Sequence, residues 1–572
     1  MIVSPAIQTD FYKVGHAPMF PKGTVKMCNN LTPRKSRMPG VDSVVVFGIQ
    51  YWLLEYVIKQ WNEEFFLKRH REFTESTEIS REKKDKIHAT HKALVINNYK
   101  RLMDHTMGKD VVSTKHLENL WDLGYMPLKV KALPEGSICP IGVSILTYEN
   151  THPVGFFLPG YLETILSVTT WQPITSATTA NEYKKNAVRW CMNTMGIGFE
   201  EACNMVMWSC HDFSMRGMTA LEAACTSGGA HLLSFYGTDT IPAISFLEEY
   251  YGANVEKEIV GGSVPASEHS VQCMNYDFEN QSDKAYLQHL MKVYPTGIVS
   301  AVLDGFNLWK GIETIGELKE EILARDGKLV VRPDSGNPVD IICGTQPFDN
   351  KEHYDSLDHS MKSPQVKGVI ELLWDIFGGT INEAGFKVLD PHIGCIYGDS
   401  ITLRRQEQIY KRLAAKGFAS TNIVLGIGSM TYTGGEVEPG NQFWITRDLY
   451  GFAVKATYGE VFHSYESSAE WVGEGEGFIE SKEIYKDPIT DDGTKKSAKG
   501  LLFVDKTADG RLVLIDQVTR EVEDSEHNQL KTVFLNGEIV KIQTLAEIRD
   551  RLKENLRKEF EDVESKNVKE VL

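Results

Sequence analysis

The sequence predicts an α/β protein built on a parallel sheet, and two observations carry that prediction. Between about Ala202 and Met430, short apolar runs ending in Gly, Asp or Ser alternate with helical patterns. The residues marking those ends are Asp239, His269, Asp304, Asp334, Asp399 and Gly428, at steps of 30, 35, 30, 65 and 29 residues. A step near 30 is one strand plus one returning helix, the unit of a parallel barrel or of a doubly wound sheet. The step of 65 contains CGTQPFDNKEHYDSLDHSMKSPQ, which is polar and patternless and reads as an inserted loop.

The other elements follow in chain order. Residues from Asn62 to about Met107 are charged and helical in pattern. His88 and His91 lie one helical turn apart there, but with no third ligand nearby they read as a solvated helix face. Leu128–Tyr148 is strand-rich, with Pro and Gly marking its turns. Leu162 to Met192 reads as helix despite Pro173. Past about Trp444 come a second strand-like stretch, FWITRDLYGFAVKATYG, and a Lys-rich loop at 486–500. The chain closes on a charged amphipathic helix, LAEIRDRLKENLRKEFEDVE, read as surface or packing.

Composition excludes several classes. At 572 residues, 42% hydrophobic and 24% charged, the chain can bury a large core without staples. Its 61 Lys plus Arg against 78 Asp plus Glu leave a charge of −17, which argues against nucleic acid as a partner. It does not exclude an anionic ligand held in a locally basic site. The nine cysteines are scattered and never spaced C-x-x-C, unlike a disulfide framework or a zinc knuckle. The start, MIVSPAIQTDFYKVGH, lacks the basic-then-apolar pattern of a signal peptide. No apolar run approaches the roughly 18 residues a membrane span needs. A reduced, soluble, cytoplasmic protein without membrane or nucleic-acid partners is expected.

In parallel α/β folds, functional groups gather where strands end, so the recurring polar residues point to one shared pocket. IVLGIGS ends in G-x-G, which lets backbone N–H groups approach an anion. GCIYGDS places Gly398 and Asp399 between a strand and a helix start, where Asp binds sugar hydroxyls or caps the helix. RPDSGNP sets the cation Arg332 two residues from the acceptor Asp334. His269 follows Glu268 at a strand end, placed for general-base, metal-ligand or phosphate-acceptor work. HDFSMRG offers a flat face (Phe213) beside a charge (Arg216). Arg447, Lys455, Lys486, Lys495, Lys496 and Lys499 add positive charge downstream, though Lys496 and Lys499 read as solvated loop. This chemistry suits an enzyme acting on a phosphorylated sugar, without naming the reaction.

The ordered set TDFYKVGH, HDFSMRG, GTDT, SVPASEHS, VLDGF, VVRPDSGNP, YGDS and the G-x-G strand end resembles the nicotinamide phosphoribosyltransferase family, from Thr9 to about Gly500. The resemblance implies a type II phosphoribosyltransferase that joins nicotinamide to 5-phosphoribosyl 1-pyrophosphate, with Mg²⁺ and coupled ATP hydrolysis. It implies an irregular TIM-barrel-like α/β domain at 201–443. Beside it stands a discontinuous β-rich α+β domain, 1–200 with 444–572. It also implies a homodimer with shared sites. Phe213 and the partner subunit's Tyr12 would sandwich the pyridine ring. Asp239 would accept from the carboxamide, with Arg332 on its carbonyl side and Ser300 also on the substrate. Arg216 would lie near ring and phosphate, and Asp334, Gly398 and Asp399 on the ribose. Gly428 and Ser429 would cradle the 5′-phosphate with Arg447 and Lys455 of the partner subunit. Arg34, Lys486 and Lys495 would meet pyrophosphate or ATP phosphates. His269, oriented by Asp304, would be phosphorylated by ATP, and Mg²⁺ would be held mainly through substrate phosphates.

The chain also departs from that pattern. Ser429 and Met430 stand where the family usually has glycines, and TYTGGEVEPGNQF is inserted before Arg447. Ser214 and Met215 replace a Gly and an aromatic, and 344–365 is a further insertion. Two rival readings are a nicotinate phosphoribosyltransferase of the same fold, for which Asp239 is the discriminator, and a non-catalytic binding protein on this scaffold. The intact His269, Asp304, Arg332, Asp334 and Asp399 oppose the latter.

Overall fold

The computed structural model describes residues 3–67, 77, 79–345, 351–356, 363–438, 441–465, 476–490 and 497–565. Six of its strands form one parallel sheet: β1 (Cys210–Phe213), β2 (Gly237–Thr238), β3 (Thr296–Val302), β4 (Asp326–Arg332), β5 (Ile393–Tyr397) and β6 (Ile423–Gly428). Their spatial order is β2-β1-β6-β5-β4-β3, and every neighbouring pair is parallel. The two edges do not stay open. Gly262 bridges Gly237 of β2, and Ala266 bridges Ser300 of β3, both in the parallel sense. Hydrogen bonds seal the joins: Thr238 N–H donates to the Gly262 carbonyl at 2.9 Å, and Ser267 N–H to the Ser300 carbonyl at 2.9 Å. The segment from Gly262 to Ser267 thus closes the sheet into an irregular barrel. Of the two architectures compatible with a 30-residue step, the chain adopts this one.

Returning helices cover the barrel. Leu308–Glu317, Pro364–Phe377 and Leu403–Ala415 bury Ile312, Ile315, Ile370, Leu373, Ile409 and Leu413 against Val299, Leu329, Val331, Ile393, Leu425 and Ile427 of the strands. Each such side chain contributes about 1.5–3 kcal/mol on full burial. Local chemistry sets where the helices begin. Asn307 accepts from Lys310 N–H, Asn337 from Val339 N–H, and Thr402 from Arg405 N–H, each directly after a site loop. The 65-residue step is more ordered than expected. Besides Pro364–Phe377 it holds helices Pro338–Cys343 and Lys351–Asp355, and a small antiparallel hairpin, Gly379–Ile381 with Lys387–Leu389.

The chain divides into two units: Met1–Ile174, Tyr250–Gly252 and Thr446–Thr544 in one, Thr175–Glu249, Ala253–Ile445 and Leu545–Leu572 in the other. The division falls within helix Glu163–Met195, next to Pro173. Two expected boundaries need correcting here: residues 175–200 go with the barrel, and so does the last helix. The C-terminal helix, Leu545–Ser565, goes with the barrel and not with the β-rich unit. Its charged pattern hides a stripe of Leu545, Ile548, Leu552 and Leu556, all buried, and Leu556 joins the barrel core. Arg549 on the same helix donates to the carbonyls of Leu232, Ile259 and Val260.

The β-rich unit is organised by a seven-stranded sheet in the order Gly477–Glu483, Ala453–Ser464, Thr24–Thr32, Leu146–Asn150, Leu128–Ala132, Lys531–Leu535, Glu538–Ile539. Every pairing in it is antiparallel, and strand Thr24–Thr32 lies between strands from far along the chain. Both ends of the chain therefore build this unit. VFGIQY forms a turn at Gly48, whose φ of +89° excludes most side chains and where a Cβ would lie 2.6 Å from Pro173. The N–H groups of Gly48 and Gln50 beyond it donate to the Glu135 carboxyl, at 3.1 and 2.6 Å.

Glu135 is 1% exposed, and burial lifts its carboxyl to about 7 against the pull of those N–H groups. A folded value above the ordinary 4.5 means the folded chain holds this proton more tightly than the unfolded one. Its contribution to stability is full below about pH 4.5 and is lost as pH rises through about 7. Glu135→Gln has no such proton. The difference in unfolding free energy between the two chains should shift by roughly 3 kcal/mol in favour of the variant from pH 4.5 to 8. Urea unfolding at both pH values checks this, and a pH-independent difference contradicts it.

Candidate active site

Strand register sets the geometry at the barrel mouth. Val302 of β3 pairs with Arg332 of β4, so Asp304 and Asp334, each two residues further on, face one another. Asp304 exploits that position. Its Oδ2 accepts the N–H groups of Asp334 at 2.8 Å and Ser335 at 2.6 Å, and its Oδ1 lies 3.1 Å from His269 Nε2. Burial pushes the Asp304 carboxyl up, but Ser335, Asp334 and His269 outweigh it and hold it below the usual carboxylate range. An ionised carboxylate only accepts, so Nε2 is the donor of this contact, and in the neutral tautomer that fits it the lone pair sits on Nδ1. The side chain of His269 is 44% exposed, so that lone pair is reachable.

Asp334 behaves differently. Burial raises its carboxyl, Arg332 lowers it, and the charges of Asp304 and Asp399 raise it again. Three carboxylates and one guanidinium therefore share the mouth. The Arg332 side chain makes no hydrogen bond or ion pair among the described residues, and its Nε is buried without a partner. Tyr397 OH donates to the Gly336 carbonyl at 3.0 Å and pins the RPDSG loop. Ser400 Oγ donates to Asp399 at 3.1 Å.

A second cluster stands on β1 and β2. Asp239 follows β2, and its Oδ1 accepts from His211 Nε2 at 2.8 Å and from Ser263 Oγ at 2.7 Å. Burial raises the Asp239 carboxyl, but the His211 hydrogen bond and charge, with Ser263 and Arg332, leave it lowered. Phe213 ends β1, with its ring 4.9 Å from that of His211. It lies over a floor of glycine: a Cβ at Gly426 would sit 2.4 Å from the Phe213 ring, and one at Gly398 2.8 Å from it. Ser300 is buried in β3, where its backbone closes the barrel.

The G-x-G strand end leads at Gly428 directly into the short helix Ser429–Thr433. Gly217 of the HDFSMRG turn abuts it so closely that a Cβ there would fall 2.0 Å from Ser429 Oγ. This contact brings exposed Arg216 next to Ser429. His269, Asp304, Arg332, Asp334, Phe213, Arg216, Asp239, Gly398, Asp399, Gly428, Ser429 and Ser300 thus all belong to the barrel unit.

The remaining expected residues belong to the β-rich unit. Tyr12 is 60% exposed on the short helix Phe11–Val14, with Lys13 Nζ 5.0 Å from its ring. Lys455 pairs in register with Asn30, which places it near Arg34. Burial lowers the Lys455 ammonium, Glu163 raises it, and the charges of Arg34, Lys13 and Lys486 lower it further. Arg447 is exposed beside Asp448, at 3.3 Å. Lys495 lies outside the described residues. Sequence reading missed three neighbours of these groups: His211, Ser263 and the nearly buried Lys13, which pairs with Glu163 at 2.8 Å. Only their presence inside HDFSMRG, GGSVPASEHS and TDFYKVGH signalled them.

Comparison with known proteins agrees with the geometry. The profile of the nicotinate phosphoribosyltransferase (NAPRTase) family matches residues 208–461, and that of the nicotinamide phosphoribosyltransferase N-terminal domain matches 4–106. The chain is 41% identical to the nicotinamide phosphoribosyltransferase of Acinetobacter baylyi over 97% of its own length and 98% of that protein's. It is 31% identical to the one from Xanthomonas campestris pv. campestris, covering 74% and 79%. Among solved structures, nicotinate-nucleotide pyrophosphorylase from Pyrococcus furiosus aligns over 97% of this chain and 96% of its own, with a TM-score of 0.49 and 13% identity. Human nicotinic acid phosphoribosyltransferase aligns over 96% and 94%, at 0.43 and 14%. Barrel, site and relatives define a phosphoribosyltransferase enzyme. More narrowly, the chain belongs to the nicotinamide phosphoribosyltransferase family.

The glycine floor gives a direct test. Gly426→Ala places a methyl within 2.6 Å of Gly398 Cα as well as against Phe213, and the backbone has no room to yield. The variant should lose about 1–3 kcal/mol of stability. Thermal unfolding checks this, and an unchanged melting temperature would show that the floor tolerates a side chain.

Proposed function

We propose that this protein makes nicotinamide mononucleotide and pyrophosphate from nicotinamide and 5-phosphoribosyl 1-pyrophosphate, serving NAD salvage. The observation that carries this reading is Asp239, an ionised acceptor at the base end of the mouth. A carboxylate there attracts the amide NH₂ of nicotinamide and repels the carboxylate of nicotinate. Arg332, with unused donors, suits the amide carbonyl. Phe213 gives the pyridine one face, and the partner subunit's Tyr12 would give the other in a homodimer with shared sites.

The ring nitrogen of the base attacks the anomeric carbon as its bond to pyrophosphate breaks, and the pyrophosphate leaves with the bonding electrons. Little proton transfer is required, so orientation and charge dominate. Asp334, Gly398 and Asp399 hold the ribose. Ser429, Gly428 and Arg216 meet the 5′-phosphate, with Arg447 and Lys455 of the partner subunit, while Arg34, Lys486 and Lys495 serve the pyrophosphate or ATP phosphates. Among the described residues no group of three His, Cys, Asp or Glu is disposed to hold a metal. Mg²⁺ would be bound chiefly through substrate phosphates, with Asp334 or Asp399 as supplementary ligands. Bound there it would neutralise charge on the leaving pyrophosphate.

ATP enters through His269. With Nε2 held by Asp304, Nδ1 is the nucleophile for the γ-phosphoryl group, and ADP departs with the electrons of the broken P–O bond. A cytoplasmic setting fits the nine free cysteines. No helix among the described residues is long and apolar enough to cross a membrane.

Mononucleotide formation from nicotinamide and from nicotinate, with and without ATP, tests the reading. Nicotinamide should be the better substrate by at least ten-fold, and product from neither would refute it. His269→Ala should abolish stimulation by ATP while leaving a slow ATP-independent rate. ATP stimulation that survives the substitution would remove His269 from its role. Lys455→Ala should raise KM for the phosphoribosyl donor about ten-fold and leave KM for nicotinamide unchanged, measured in the same assay.

A further inference from the structure

We infer that His211 is the positioning residue that sets amide-over-acid selectivity, by locking Asp239 as an ionised acceptor with a single oxygen open to the base. The inference rests on the reading of Asp239 proposed above. Both hydrogen bonds from the protein, His211 Nε2 at 2.8 Å and Ser263 Oγ at 2.7 Å, converge on Asp239 Oδ1. Among the described residues Oδ2 accepts none, and the side chain is 49% exposed, so Oδ2 is the oxygen that faces a ligand. Two donors on Oδ1 prevent rotation of the carboxylate and oppose its protonation.

His211 is itself held rigidly. Its backbone sits in the parallel ladder between Gly426 of β6 and Gly237 of β2. Its side chain is 10% exposed, wedged between Phe213 and Gly237, where a Cβ would lie 2.7 Å from His211 Nδ1. Ser263 comes from the segment that closes the barrel, so two donors from different parts of the ring meet on one oxygen. The charged and titratable groups facing Asp239 are His211 from β1 and Arg332 from β4; Asp212 contributes its backbone carbonyl, which accepts Asp239 N–H at 2.9 Å.

The consequence is chemical. A protonated Asp239 would donate to the carboxylate of nicotinate and admit it; an ionised one rejects it. Without His211 the carboxyl loses the strongest of the influences holding it ionised. Nicotinate should then be accepted increasingly as pH falls.

The test compares kcat/KM for nicotinamide and nicotinate between pH 5.5 and 8 in the full-length wild type, His211→Ala, His211→Gln, Ser263→Ala and Asp239→Asn. His211→Ala should lower the nicotinamide-to-nicotinate ratio at least about ten-fold, most at low pH. The change should lie in KM for the base, with KM for the phosphoribosyl donor unmoved. His211→Gln, which keeps an N–H donor, should restore part of the ratio. If His211→Ala does not fold, Ser263→Ala removes the other bond to the same oxygen and should shift the ratio in the same direction. A shift with Asp239→Asn but none with His211→Ala or Ser263→Ala overturns this inference alone. No shift with Asp239→Asn overturns the amide contact, and this inference with it.

Discussion

The site depends on the closure of the barrel by the segment from Gly262 to Ser267. A six-stranded parallel sheet left open would expose two edges of unpaired N–H and C=O groups. This segment satisfies both, at Gly237 on one side and Ser300 on the other. Closure also turns a row of strand ends into a ring. Residues that an open sheet would spread along a line instead face inward on a common mouth. Ser263 and His269 lie beside the closing joins, so one of the two donors that hold Asp239 and the residue that Asp304 orients both depend on the same few hydrogen bonds.

Register then decides which residues meet. Because Val302 pairs with Arg332, the loops after β3 and β4 begin opposite one another. One carboxylate on the first can accept two N–H groups from the second, and Asp304 does so. A one-residue slip would turn each of these side chains to the opposite face. The glycines just after β5 and within β6 belong to the same logic. Gly398 and Gly426 leave the width of a ring above the sheet, and Phe213 from the adjacent β1 fills it.

Much of this was legible in the sequence because the repeat of one strand and one helix has a fixed length. Five of the six marked strand ends fall on or within two residues of the end of a strand, and the sixth, His269, opens a helix three residues past a closing bridge. Other features had no periodic signal. The closing segment makes two single bridges, too few for an alternation to register. The His211 to Asp239 bond joins residues 28 apart on different strands, a distance at which side-chain direction is invisible without register. The hairpin Gly379–Leu389 lies inside a step read only as long. The C-terminal helix carries its apolar stripe among so many charges that nothing in its composition says which unit it covers.

The acidic balance of the chain acquires a mechanistic sense at the mouth. Asp304, Asp334 and Asp399 repel one another, and Asp334 is the member on which burial and that repulsion fall. Such a group is poorly served by its own protein and gains from any positive charge that arrives. Asp304 cannot relieve it, since its lone pairs are committed to two backbone N–H groups and His269. In the proposed displacement, positive charge develops at the anomeric carbon just as pyrophosphate departs. Asp304 and Asp334, half-buried and fixed by strand register, would need little reorganisation to stabilise it. A net charge of −17 is therefore compatible with a phosphate-binding enzyme.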